Sequence, residues 1–190
     1  EHSGFFYPML SGVARSVNFY PIGKEKASEG IINIVAGLGK GVVEGDKTLR
    51  FNPRYPKKIL QLSQSELALR DGQKEFFALD LRPGAFKISR NESVNFVRKS
   101  ITDLVSEFPD PAAILSTYDM SDERIVPGVT AWGPKIVTFD TLLKYGRFPL
   151  ADVLVKIMDI CRNELQCEVE IEFAADMGSG GQLSFNLLQV

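Results

Sequence analysis

The pattern of residues 168–190, EVEIEFAADMGSGGQLSFNLLQV, restricts the fold of this chain more than any other feature. Apolar residues alternate with glutamates at its start, and alternation with a period of two is typical of a strand with one buried face. A Gly-Ser-Gly-Gly reversal follows at 178–181, and the alternation resumes at Leu183. The pattern therefore predicts an antiparallel hairpin with one apolar and one polar face.

Three glutamates occupy the polar face of the first predicted strand. Residues two apart in a strand project from the same side about 6.5 to 7 Å apart, so Glu168, Glu170 and Glu172 form a row of carboxylates. Such a row is tolerated in open water or around a cation, and Mg²⁺ takes carboxylates together with phosphate oxygens. Alternation alone favours the simpler interpretation, a half-buried strand with a solvated face. Both interpretations stay open on the pattern alone.

The rest of the chain predicts a mixture of strands and helices. Strands are predicted at 12–19, 30–36, 75–81, 85–89, 113–118 and 136–139. Apolar residues at helical spacing predict helices over 93–108 and 150–165. Because strands and helices do not alternate regularly, the predicted class is α+β, with a largely antiparallel sheet and flanking helices.

Composition excludes several classes of protein. The length of 190 residues is that of one ordinary domain, and no apolar run is long enough for a membrane span. A net charge of −2 gives no footprint for nucleic acid or for an anionic membrane. Two cysteines and no signal segment indicate neither a disulfide framework nor secretion, so we expect a cytoplasmic protein.

Three segments have the order and spacing of motifs that occur together in one protein family. They are SGVA at 11–14 with Asn18, GLGKGVVEG at 37–45, and EIEF at 170–173 with Leu-Gln at 188–189. These segments resemble SGVAF, GLGE-x-VVSG and D-I-E-F/W with L-Q-x-R in the phosphoenolpyruvate synthase and pyruvate phosphate dikinase family. The similarity is to the C-terminal part of that family's N-terminal ATP-grasp domain.

The resemblance implies a fold and a domain organisation. The chain would be a single ATP-grasp-like lobe over 1–190, and the stretch at about 56–126, which has no counterpart, would be a family-specific elaboration. Core-type residues also crowd the first ten positions, where Phe5 and Phe6 have nothing before them to pack against. We therefore expect the sequence to be part of a longer protein.

The resemblance also implies site residues. Glu172 would bind the Mg²⁺ that accompanies ATP, Glu170 would be its acidic neighbour in metal and nucleotide binding, and Gln189 would contact the nucleotide phosphates. The family's catalytic arginine would follow Val190, so no catalytic residue lies within the chain. The family usually has Glu at the position of Lys40 and often Asp at that of Glu170, and the change at Lys40 puts any role of its loop in doubt.

The implied reaction moves a phosphoryl group from ATP to a histidine elsewhere in a longer protein and then to pyruvate, which other domains would bind. The parent protein would thus be an ATP-dependent phosphotransferase with ATP and Mg²⁺ as cofactors, and this piece alone would be inactive. The alternative is a degenerate nucleotide-sensing or regulatory module that binds its ligand without transfer. An arginine directly after Val190 and a phosphohistidine motif downstream would favour catalysis.

Three further features of the sequence suggest a ligand site but have simpler structural interpretations. The glycines at 37–41 match neither a dinucleotide fingerprint nor a P-loop, so they predict a tight turn. The basic residues of 50–58 could contact phosphate, but a solvated loop is the favoured interpretation and no site is assigned there. Cys161 and Cys167, with one histidine in the chain, predict buried or idle thiols and no zinc site.

Overall fold

The computed structural model describes residues 4–130, 132–178 and 182–190. Its strands are β1 Phe5–Phe6, β2 Leu10–Arg15, β3 Ile31–Ala36, β4 Leu49–Phe51, β5 Glu75–Asp80, β6 Phe96–Ser100, β7 Leu115–Asp119, β8 Arg124–Pro127, β9 Lys135–Val137, β10 Glu170–Met177 and β11 Leu183–Gln189. Its α-helices are α1 Lys40–Val43, α2 Ser65–Asp71, α3 Leu104–Glu107, α4 Asp140–Leu143 and α5 Leu150–Leu165. The strand pairings within the described residues are all antiparallel.

The central sheet has five strands in the order β11-β10-β2-β3-β4. The burial of its strands follows their sequence patterns. Strand β3 is rich in β-branched residues and is almost wholly buried, whereas β10 alternates between buried and partly exposed residues. One face of the sheet packs against α5 in a single hydrophobic core. Phe173, Ile34 and Phe51 come from the sheet, and Leu154 and Met158 come from the helix.

The opposite face of the central sheet is more polar. Glu172, Val13, Asn33 and Arg50 lie in one row across four neighbouring strands, and Gln189 continues that row onto β11. Because side chains in register point to the same side of a sheet, this row places a carboxylate near one edge and a guanidinium at the other. The candidate sites lie at these two edges.

Two smaller sheets have the orders β1-β5-β6 and β8-β7-β9. Much of both comes from the stretch 56–126, for which the resemblance offers no counterpart, but β1 and β9 from outside that stretch complete them. Phe76, Leu104 and Leu115 from this stretch join the same hydrophobic core as the central sheet. The stretch is therefore packed into the fold through shared strands and a shared core.

The structure confirms the predicted α+β class with mostly antiparallel sheets. The helix predicted over 150–165 is α5, and the strands predicted at 30–36, 75–81, 113–118 and 136–139 are found within two residues of the predicted ends. The terminal hairpin is also confirmed, although residues 179–181 of its predicted reversal lie outside the described residues. Among the residues described, none of the helices combines the length and apolar character that crossing a membrane requires.

The long helix predicted over 93–108 is wrong. The segment instead forms a 3-10 turn, strand β6, a second 3-10 turn at 101–103 and the short helix α3. Strand β5 explains the difference, because its backbone needs hydrogen-bonding partners and β6 supplies them over five residue pairs. Ile101, Leu104 and Phe108 are buried from these separate elements instead of from one continuous helix, whereas Val94 and Val105 are exposed.

Two predicted strands also need correction. Residues 85–89 form no strand, because β5 is the central strand of its sheet and both of its sides are already paired with β1 and β6. The strand predicted at 12–19 begins at Leu10 and ends at Arg15. It ends there because Asn18 is buried and holds a turn: its side-chain oxygen accepts from the Tyr20 amide at 3.1 Å and from Arg50 Nη2 at 3.0 Å.

Candidate functional site

The acidic residues predicted from the alternation lie on strand β10 and just before it. Val169, Ile171 and Phe173 are buried, whereas Glu170 is exposed and Glu172 is half-buried. The prediction that the glutamates and the apolar residues face opposite sides is therefore confirmed. Burial of Phe173 in the core keeps the neighbouring carboxylates on the polar face of the sheet.

The register of the hairpin brings Gln189 to Glu172. The two residues are direct cross-strand partners, whereas Phe173 pairs with Leu187, so Leu188 is an extra residue in a β-bulge. Without the bulge, the alternation of β11 would turn Gln189 away from the carboxylate row. Two residues that the resemblance assigns to the same nucleotide thus lie side by side.

A shallow cleft of about 340 Å³, which we call the acidic cleft, opens beside this pair. It is lined by Leu165, Cys167, Glu168, Val169, Glu170, Glu172, Gln189 and Val190. All the predicted site residues, Glu170, Glu172 and Gln189, are among them. Both cysteines are free. The thiol of Cys167 is exposed, and Cys161 is half-buried.

Glu168 is held by hydrogen bonds. It accepts from Ser16 Oγ at 2.6 Å and from Arg162 Nη2 at 2.9 Å. The Ser16 hydroxyl, with help from the Arg162 guanidinium, lowers the pKa of the Glu168 carboxyl below its ordinary value. The same serine also bonds the backbone of Val169, accepting from its N–H at 2.8 Å. Glu168 therefore anchors the entry to β10.

Glu170 and Glu172 differ in their partners. The Glu170 carboxylate forms an ion pair with the Arg15 guanidinium directly across the strand pair. Within the part of the chain that the structure describes, Glu172 forms no ion pair and no side-chain hydrogen bond, and its cross-strand neighbours are Val13 and Gln189. Of the three carboxylates in the row, Glu172 is the one left available to a ligand.

The carboxylates of the acidic cleft suit a hydrated metal ion that is bound to phosphate, but not a metal ion held mainly by protein ligands. Across residues 4–130, 132–178 and 182–190, no group of three or more His, Cys, Asp or Glu side chains is placed to hold a metal ion. A metal bound mainly by protein therefore does not fit. Mg²⁺ that keeps its waters and binds phosphate oxygens needs only one or two carboxylates, and Glu172 can offer one.

The three motif segments lie next to one another in space. Strand β2 carries the first motif and pairs with β10, which carries the third. Ser11 Oγ donates to the Gly37 carbonyl at 2.8 Å and so joins the first motif to the second. Gly12 has a packing role, since a Cβ there would lie 2.6 Å from the Phe173 ring and 2.6 Å from the Asn33 carbonyl oxygen.

The glycine segment after β3 is a tight turn, as predicted. Gly37 has φ +82°, a conformation that favours glycine, and a Cβ there would meet the Phe77 carbonyl oxygen at 2.8 Å. Lys40 forms an ion pair with Glu44 at 2.7 Å and lies over the Phe96 ring. None of these residues lines the acidic cleft, so Lys40 has a local structural role.

Sequence reasoning missed the residues that form ion pairs or hydrogen bonds with the acidic row. Arg15, Ser16 and Arg162 come from β2, the turn after it and the end of α5. Arg15 lies on the same face of the sheet as Glu170, and only the pairing of β2 with β10 shows which glutamate it meets. That pairing joins residues more than 150 positions apart.

Comparisons of the chain with protein-family models, with curated proteins and with solved structures found no significant match. The interpretation of the acidic cleft therefore depends on its geometry and on the three motifs.

Proposed function

We propose that this chain is the Mg-ATP-binding lobe of an ATP-dependent phosphotransferase similar to phosphoenolpyruvate synthase and pyruvate phosphate dikinase, with an ATP-grasp-like arrangement. The observation that carries the proposal is the pairing of Glu172, whose carboxylate has no partner among the described side chains, with Gln189 across the β-bulge. Residues that the motifs assign to one ligand would not need to meet in space if the motifs were accidental.

The proposed roles follow from the charges at the acidic cleft. Mg²⁺, when bound with ATP, would offset charge on the triphosphate. Glu172 would supply a carboxylate to that ion, and the Gln189 side-chain amide would donate a hydrogen bond to a phosphate oxygen. Glu170, because Arg15 already neutralises it, would support Glu172 without adding a second uncompensated charge.

Phosphoryl transfer would need groups that this chain does not contribute. No histidine is among the described residues that line the cleft, and the proposed route from ATP to a histidine and on to pyruvate depends on other domains. One observation favours the second candidate, a nucleotide-sensing module without transfer: the Arg15 ion pair leaves a single carboxylate available at the cleft. Binding without catalysis needs no more than that.

Replacing Glu172 tests the proposal. In the 190-residue chain, Glu172→Gln should weaken Mg²⁺-dependent ATP binding about tenfold, equivalent to about 1.4 kcal/mol, because it removes the charge on the metal ligand. Isothermal titration with ATP, with and without Mg²⁺, measures the effect. Glu164→Gln is the matched control, since Glu164 is exposed on α5 outside the cleft.

Two results would decide the matter. Equal Mg-ATP affinity in Glu172→Gln and the parent chain, with both folded by near-UV circular dichroism, would remove the site assignment. If binding depends on Glu172, the next measurement is transfer of ³²P from ATP to a histidine in a longer protein that contains this lobe. An acid-labile ³²P label on the protein supports the phosphotransferase, and its absence supports the sensing module.

A further inference from the structure

A second cleft, of about 720 Å³, lies at the opposite edge of the central sheet, outside β4. We call it the basic cleft and define it by Lys24, Arg50, Tyr55, Lys57, Lys58 and Ile59. It shares no residue with the acidic cleft. Three strand spacings of about 4.8 Å separate β4 from β10, so these two strands are about 14 Å apart across the sheet.

The cations of the basic cleft are mostly uncompensated. No carboxylate among the described residues lies within ion-pair distance of Lys24, Arg50, Lys57 or Lys58. The one carboxylate lining the cleft, Glu25, accepts from neutral donors, the Ile22 amide and Asn18 Nδ2, each at 3.0 Å. The cleft therefore carries a net positive charge in a chain whose overall charge is negative.

The Arg50 guanidinium is fixed in place by neutral acceptors. Its Nη2 donates to Asn18 Oδ1 at 3.0 Å and to the Tyr20 carbonyl at 2.9 Å. These bonds hold the group in the cleft without cancelling its charge. A half-buried guanidinium with no anionic partner favours an anion supplied from outside.

The base of the cleft is apolar. Ile31, Phe51 and Ile59 are buried beneath it, and the Tyr55 ring forms part of the wall, with Lys58 Nζ 5.4 Å from the ring centroid. Ile22 and Leu60 also line the cleft and are exposed, so a ligand that was only a small inorganic anion would leave their apolar surface in water. The volume falls within the range of about 300 to 1,000 Å³ typical of small-molecule sites.

We propose that the basic cleft binds an amphipathic small anion, a phosphate monoester that carries an aromatic or aliphatic group. The phosphate would lie against Arg50, Lys57 and Lys58, and the apolar group would cover Leu60 and the Tyr55 ring. The proposal is independent of the function proposed for the acidic cleft, because the two clefts share no residue.

The test is a ¹H–¹⁵N titration of the 190-residue chain with phenyl phosphate, with inorganic phosphate and benzyl alcohol as partial ligands. Phenyl phosphate should shift the amide signals of the basic cleft and saturate, and each partial ligand should bind more weakly. Lys57→Gln/Lys58→Gln should weaken phenyl phosphate binding about fivefold or more, because it removes two cations beside the phosphate. Both lysines are exposed, so the fold is expected to persist.

Lys87→Gln/Arg90→Gln is the matched control, since it removes the same charge from exposed residues outside the cleft and should change the affinity less than twofold. Equal weakening in the two double variants, or signal shifts elsewhere, would overturn the proposal. Inorganic phosphate binding as tightly as phenyl phosphate would remove the apolar part. A hexaglutamate peptide binding more tightly would identify a docking surface for an acidic polypeptide instead.

Discussion

The two edges of the central sheet differ in how many of their charged side chains have partners of opposite charge. At the β10–β11 edge, Glu168 and Glu170 have basic partners and Glu172 alone is left without one among the described residues. At the β4 edge, Arg50, Lys24, Lys57 and Lys58 have no carboxylate partner within that same set, and of the lysines that line the cleft only Lys144 has one, Asp140. One sheet thus presents a mostly neutralised acidic row at one side and an uncompensated basic cleft at the other. Charge left uncompensated, more than charge as such, distinguishes a candidate site from a solvated surface.

Both edges lie over the same apolar core, so the largest effect should come from breaking that core. Phe173→Ala removes a fully buried ring that stacks on Phe185 with centroids 5.5 Å apart. It should lower the free energy of unfolding by about 3 to 5 kcal/mol. Urea denaturation measures the loss, and Leu188→Ala, at an exposed bulge residue, is the control.

Hydrogen exchange on the Phe173→Ala variant shows how far the loss extends. If one core supports both edges, amide protection should fall at β4 as well as at β10. Loss of protection restricted to β10 and β11 would mean that the edges are independent structures, and the comparison between them would lose its basis.

The ion pair at the acidic edge should contribute a much smaller amount. Arg15→Gln leaves Glu170 without its partner, and because both side chains are more than two-fifths exposed, the loss should be about 0.5 kcal/mol at low salt. The difference should vanish in about 1 M NaCl, where charges are screened. A loss above about 2 kcal/mol that persists in salt would show that Arg15 acts through packing.

The smallest effect should be a change in pH dependence at Glu168. Its pKa is lowered in the folded state, so it contributes stability above its unfolded pKa near 4.5, and this contribution is lost as the pH falls through the lower folded pKa. In Glu168→Gln, the decrease in unfolding free energy between pH 5 and pH 3 should be shallower than in the Glu164→Gln control. Parallel curves would show that Ser16 and Arg162 do not favour the charged form.

Comparison with the sequence predictions separates local from long-range information. The helix at 150–165 and the alternation of β10 were predictable, because each is a periodic pattern that buries one face wherever the segment packs. The helix predicted over 93–108 is wrong because its apolar spacing also suits a strand flanked by turns. Pairing with β5, on the side that β1 does not occupy, favours the strand. The Arg15–Glu170 ion pair could not be predicted for a related reason, since the sequence does not state which strands are neighbours.

The sequence alone determined which residues of β10 face the core and where the long helix lies, and it suggested the resemblance that makes Glu170, Glu172 and Gln189 candidate site residues. Tertiary structure alone decided that the bulge at Leu188 brings Gln189 to Glu172, that Arg15 neutralises Glu170, and that a basic loop folds into a cleft with an apolar base. The physical reason is the range of the interactions. Burial periodicity is set residue by residue, whereas register and charge compensation depend on strands brought together from distant parts of the chain.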